Sequence, residues 1–112
     1  MSRACRPGGE QALTLQPNDG TEVKAKMKAG ERFVFQWQTD GGMVNVDMHG
    51  EKPEAKSDEY ASYWKERNTS KGYGEFQAPF DGTHGWYWRN RSDKPIKITV
   101  SISGYYEKFY RP

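Results

Sequence analysis

The sequence predicts an all-β domain: an antiparallel β-sandwich, jelly-roll-like, of about seven to eight strands. Three observations lead there. Apolar side chains recur at every second position in segment after segment, the period of a strand with one buried face. Clusters of Gly, Pro, Asn and Asp punctuate those segments at intervals of about 8–12 residues. Leucine occurs only at Leu13 and Leu15, while 12 glycines and 6 prolines are spread through the chain, which disfavours long helices.

Taken in order, residues 1–10 (MSRACRPGGE) are small, polar and rich in Gly and Pro, and read as a disordered leader. The globular domain is then residues 11–112. Gln11 to Gln16 alternates around Leu13 and Leu15 and stops at Pro17. After the Asn18-Asp19-Gly20 turn, Val23, Ala25 and Met27 oppose Glu22, Lys24, Lys26 and Lys28, a lysine-rich outer face that also discourages edge pairing. Arg32 to Thr39 sends Phe33, Phe35 and Trp37 to one side. Asp40-Gly41-Gly42 is a turn signal, and Val44, Val46 and Met48 alternate with Asn45, Asp47 and His49 beyond it. Residues 32–49 are expected to form a local hairpin.

Gly50 to Ser57 is a polar link. Ser57 as a cap, Asp58 and Glu59 in a first turn, and Tyr60, Tyr63 and Trp64 at i, i+3 and i+4 predict one short helix near 57–66. Asn68 to Gly74 reads as a loop before a short strand around Phe76. Trp86 and Trp88 share one face of the next strand. Past the turn residues 91–95, Ile96, Ile98, Val100 and Ile102 give the cleanest alternation in the chain. Tyr105, Tyr106, Phe109 and Tyr110 close it as a last aromatic strand or strap.

A chain of 112 residues makes one core, and at 34% apolar composition that core is thin. Aromatic residues, 14% of the sequence, compensate through the large area each buries. The net charge of +2 arises from 17 basic and 15 acidic residues spread evenly, with no basic stripe for nucleic acid. No apolar run approaches the roughly 20 residues of a membrane helix. The lone Cys5 has no partner for an intrachain disulfide.

Several blocks resemble known families. Lys28-Ala29-Gly30-Glu31-Arg32-Phe33-Val34-Phe35, followed by Val44-x-Val46-x-Met48-His49-Gly50, resembles the opening of a GOLD domain. The run from Gly72-x-Gly74-x-Phe76 through Asp81-Gly82 to Gly85-Trp86-Tyr87-Trp88-x-Asn90 resembles its second half, as in p24-type ectodomains. VDMHGE (46–51), SYWK (62–65), APFDGTHGWYWRN (78–90) and YEKFYRP (106–112) resemble bacterial "transmembrane anchor protein" sequences. These residues hold neither the cysteine pair nor the coiled coil of p24 proteins, so cargo-receptor function does not carry over. The bacterial resemblance implies a domain tethered by a membrane helix absent from these 112 residues, on the periplasmic face of the inner membrane.

Three sets of residues invite a functional reading. Asp47 and His49 share a strand face, and with His84 they would make a zinc or copper site. Ordinary alternation of polar residues on a solvated face explains the same pattern. Tyr63, Trp64 and Tyr87 are the aromatics expected to be exposed, a platform for sugar or peptide. The remaining apolar residues, Phe33, Phe35, Trp37, Val44, Val46, Trp86, Trp88, Ile96, Ile98, Val100 and Ile102, are assigned to the core. No nucleophile motif or phosphate-cradling Gly loop is present, so catalysis is not expected. The leading expectation is a non-catalytic module that binds a protein or envelope component, with a metal-binding accessory protein and a carbohydrate-binding sandwich as alternatives.

Overall fold

The computed structural model describes residues 6–56 and 59–112. Among these the chain forms nine strands and no helix: β1 (Arg6–Leu15), β2 (Gly20–Met27), β3 (Arg32–Thr39), β4 (Val44–Glu51), β5 (Ala61–Thr69), β6 (Lys71–Gln77), β7 (Gly82–Arg89), β8 (Ile96–Gly104) and β9 (Lys108–Tyr110). They make two antiparallel sheets, one in the order β1-β8-β3-β6 and one in the order β5-β4-β7-β2-β9. The pairs β1·β8, β2·β7, β3·β6 and β4·β5 nest inside one another along the sequence. The chain is thus one long hairpin with its tip between β4 and β5. Pairing of β3 with β8 and of β4 with β7 rolls that hairpin into two layers. This is jelly-roll topology, with β9 added beside β2.

Three expectations change. Residues 32–49 do not form a hairpin, because β3 and β4 lie in opposite sheets. Each strand carries a large apolar face, Phe33 and Trp37 on one and Val44, Val46 and Met48 on the other. Placed across the interior those faces bury each other, and burial outweighs the advantage of local pairing. The chain crosses between sheets at Asp40-Gly41-Gly42, where Gly41 takes a φ of 121° and the Thr39 hydroxyl donates to the Gly42 carbonyl at 2.6 Å.

The helix expected near 57–66 is absent: residues 61–66 belong to β5, and the proposed cap at Ser57 and Asp58 lies outside the described residues. Two helical turns have little stability alone, whereas β4 offers a row of backbone partners. The helical spacing of the aromatics is accommodated by a β-bulge. Met48 pairs with Trp64 and His49 with Ser62, leaving Tyr63 as the extra residue. Finally, β1 begins at Arg6, so residues 6–10 belong to the sheet rather than to a leader, and residues 1–5 lie outside the described residues.

The interior is built on β7. Trp86 and Trp88 are buried and stack with centroids 5.9 Å apart and planes 9° apart. Trp37 meets Trp88 at 5.8 Å, and Phe33 and Phe35 meet Trp86 at 5.9 and 5.2 Å. Ile96, Ile98, Val100 and Ile102 of β8 face them from the other sheet, and Val44 and Val46 complete the layer. Phe35 is only partly buried, because it sits near an open side of the sandwich. At one end the buried Asn90 ties the turn between β7 and β8 to the end of β1. Its amide donates to the carbonyls of Leu15 (3.0 Å) and Lys94 (2.7 Å), and its Oδ1 accepts from the backbone and hydroxyl of Ser92.

Truncating the stack is expected to be costly. Trp88→Ala should lower the unfolding free energy by ~3–5 kcal/mol, a large part of the ~5–15 kcal/mol of a typical domain. Urea denaturation followed by circular dichroism measures this. A loss under about 1 kcal/mol would show that the indole does not hold the sheets together.

Candidate functional site

The register of β4 against β7 decides which polar residues meet. His49 pairs with Gly85, and Gly50 with His84. Because successive strand residues point to opposite faces, His49 projects outward while His84 projects into the core. Asp47, on the same face as His49, turns toward β5. Its carboxylate accepts from the Ser62 hydroxyl at 3.2 Å and lies 3.9 Å from the Lys65 ammonium. Asp47, His49 and His84 therefore do not converge, and the metal set read from the sequence is corrected: sheet thickness separates its two histidines.

His84 is fully buried and committed to local partners. The Phe80 carbonyl, 3.0 Å from Nε2, can only accept, so Nε2 carries the proton. Nδ1 then accepts from the Tyr63 hydroxyl at 2.9 Å. Burial pushes the His84 pKa below its ordinary value, against the favourable Phe80 hydrogen bond, and the ring stays neutral. Burial likewise pushes the Tyr63 hydroxyl up to about 12. The Tyr63 ring packs against Phe76, with centroids 5.0 Å apart.

On the outer face, His49 meets residues that the sequence reading had assigned to a solvated surface. Its Nε2 lies 3.4 Å from both Glu22 Oε2 and Glu51 Oε1. The Lys24 ammonium donates to Glu51 at 2.8 Å and lies 3.4 Å from Glu22. Burial alone would raise the Glu51 pKa, but the Lys24 hydrogen bond and charge outweigh it and hold the carboxyl below its usual range. Burial would lower Lys24, and the two carboxylates hold it above its usual value.

A cleft opens on the side where the edge strands of the two sheets, β5 and β6, face each other. Its floor is Phe35, Met48 and Trp86, and Trp64, Tyr73 and Met43 stand around it, with Asn68, Ser70 and Lys71 at one end. Its volume is about 520 Å³. The bulge in β5 brings Trp64 to this side, opposite Met48, where it is 60% exposed. Across it, β6 pairs Gly74 with Phe35 and Gly72 with Trp37. Gly72 lines the cleft, and the absence of a side chain there makes room for the Trp37 indole. Of the aromatics singled out from the sequence, Trp64 lines this cleft and Tyr63 packs in the half-buried layer between it and His84. Tyr87 does not join them. It lies on the outer face of the five-stranded sheet, in a separate hollow with Asp47, Lys65 and Arg89.

Comparison with known proteins locates this geometry. No protein-family model and no curated protein matches the sequence. The fold is shared. A Yersinia pseudotuberculosis-derived mitogen is 8% identical over 92% of this chain and 91% of its own, with a TM-score of 0.64. Aeromonas hydrophila PliG, a periplasmic inhibitor of g-type lysozyme, is 14% identical over 86% of each chain, with a TM-score of 0.54. A pre-peptidase C-terminal domain of Bacillus anthracis collagenase is 13% identical over 86% of this chain and 89% of its own, with a TM-score of 0.54. At such identities the likeness establishes the two-sheet architecture and nothing finer.

Sequence reasoning missed Tyr73 and Met43 in the cleft, and Glu22 and Lys24 as partners of His49. The alternation Gly72-Tyr73-Gly74 was the available signal for the first. Nothing local signals the second, because β2 and β4 touch it from opposite sides of β7.

The His84 environment predicts a pH dependence. Its proton affinity is lower folded than unfolded, so as pH falls the unfolded chain takes up the proton first. Stability should be unaffected well above about 6.5 and should fall as pH drops below it. Melting temperatures measured from about pH 8 to about pH 5 test this. His84→Gln should be less stable throughout but should lack the loss between about pH 6.5 and 5. An equal loss in both proteins would remove His84 as the cause.

Proposed function

We propose that the protein is a non-catalytic binding module that holds a glycan of the cell envelope in the cleft between β5 and β6. The observation that carries this reading is the combination of an apolar, aromatic floor with a standing, largely exposed Trp64. A flat indole face stacks on the apolar face of a sugar ring, while polar groups at the rim hydrogen-bond its hydroxyls. Glu66, Asn68, Ser70 and Lys71 supply such groups. The cleft volume lies within the roughly 300–1,000 Å³ typical of small-ligand sites.

Both histidines favour binding over catalysis. His84 has each ring nitrogen engaged inside the core, and His49 is surrounded by Lys24 and two carboxylates on the opposite side of the sheet from the cleft. Neither stands beside a nucleophile at the cleft. The proposal includes the setting implied by the bacterial sequence resemblance: a module tethered at the periplasmic face of the inner membrane. A GOLD-type affiliation belongs to the same proposal and rests on the same blocks.

Intrinsic tryptophan fluorescence, with peptidoglycan fragments and related oligosaccharides as ligands, tests the reading. Trp64→Ala should weaken binding about tenfold, from the loss of one stacking face and its buried area. Tyr73→Ala, which removes a second exposed aromatic lining the cleft, should weaken binding further with the fold intact. Glycan binding that survives both changes would move the site elsewhere.

A further inference from the structure

We propose that Glu22, His49 and Glu51 form a binding site for a divalent metal ion, zinc foremost, on the outer face of the five-stranded sheet. The site is independent of the glycan cleft, which lies on the other side of that sheet. Its geometry begins with Gly85. On β7 this residue is flanked by Lys24 of β2 and His49 of β4. It presents no side chain, so donors from the two outer strands lean toward each other over bare backbone. A Cβ at Gly85 would collide with the Val23 carbonyl, so β2 and β7 can approach this closely only with glycine there.

One ligand atom from each of the three residues lies within 4.8 Å of the others. The two separations to His49 Nε2 are both 3.4 Å. Tetrahedral ligands at the zinc distance of about 2.0–2.1 Å stand about 3.3–3.4 Å from one another, so these two edges already match. The histidine is also oriented for the task. Its Nδ1 lies 3.2 Å from the Asp47 carbonyl, which can only accept, so Nδ1 donates there and Nε2 is the ring nitrogen turned toward both carboxylates. Glu22 Oε2 is a buried oxygen that makes no close hydrogen bond, with the Lys24 ammonium and His49 Nε2 each 3.4 Å away. The edge of the Tyr60 ring covers the imidazole, with centroids 5.4 Å apart. One nitrogen and two carboxylate oxygens suit zinc, with a fourth position left for water.

Lys24 is the built-in competitor. Its ammonium lies on the same two carboxylate oxygens, 2.8 Å from Glu51 and 3.4 Å from Glu22. Two carboxylates and a neutral imidazole balance a divalent ion without it. The metal therefore displaces the flexible lysine head toward solvent, and the exchange sets the affinity.

The test is calorimetric titration of the full chain with zinc chloride, carried out in a Cys5→Ser background so that the thiol takes no part. Binding of one zinc per chain is expected, together with a shift of the His49 Nε2 resonance in nitrogen-detected NMR. His49→Ala and the isosteric Glu22→Gln should abolish both. Lys24→Met should bind about tenfold tighter or better, because a positive charge beside the ion is gone. Asp47→Asn and His84→Gln, outside the ligand set, should bind as the parent does. No zinc uptake by either the parent or Lys24→Met would reduce the cluster to an ion-pair network and overturn the proposal. So would uptake that persists in folded Glu22→Gln and His49→Ala.

Discussion

The alternation of side chains along β7 is the constraint from which the rest of the molecule follows. This strand lies between β4 and β2, inside the five-stranded sheet. Its inward positions carry His84, Trp86 and Trp88, which are buried. Its outward positions carry Thr83, Gly85, Tyr87 and Arg89. Two stacked indoles in so small an interior leave one workable register, because a shift by one residue would move both to solvent and bring Tyr87 and Arg89 inside. With that register set, His84 must be a core residue, and the outer face must be nearly bare where Gly85 stands. The interior ring stack and the exterior polar cluster are two faces of one decision.

The rolled-hairpin topology explains why the two candidate sites lie where they do. Each strand of the four-stranded sheet pairs with partners distant in sequence, and the chain crosses between layers at almost every turn. Only β4 and β5 follow one another within a sheet, at the tip of the long hairpin. There the roll ends, and β5 and β6 are left as edges of different sheets on the same side of the molecule. Their inner faces lack an opposing strand to complete burial, so Trp64 stands exposed above Phe35 and Met48. An aromatic cleft is a natural product of the place where this fold runs out of strands.

Glycine shapes both sites by absence. Gly85 lets β2 approach β7 and clears the ground between Glu22 and His49. Gly72, on β6, makes room for the Trp37 indole beside the cleft. Both effects depend on the missing Cβ, and neither depends on left-handed backbone, since the positive-φ glycines are Gly30, Gly41 and Gly104. The polar groups around these gaps are held by their neighbours: His49 by the Asp47 carbonyl, Glu51 by Lys24, and Tyr63 by His84.

Period-two patterning carried the fold class, most of the strands and the inward face of each, because those depend only on local alternation and on the water-excluding interior it implies. Phe33, Trp37, Val46, Trp88 and Ile98 are legible in that way. The exposure of Trp64 agrees with its reading as an aromatic outside the core, although the helix expected to carry it is a strand. Pairing was not legible. That β3 faces β4 across the interior, that residues 61–66 extend along β4 instead of coiling, and that His49 meets Glu22 rather than His84 were all decided by the tertiary structure. Alternation says which way a side chain points but not which strand lies beside it, and partners far apart in sequence are chosen by the joint burial of whole faces.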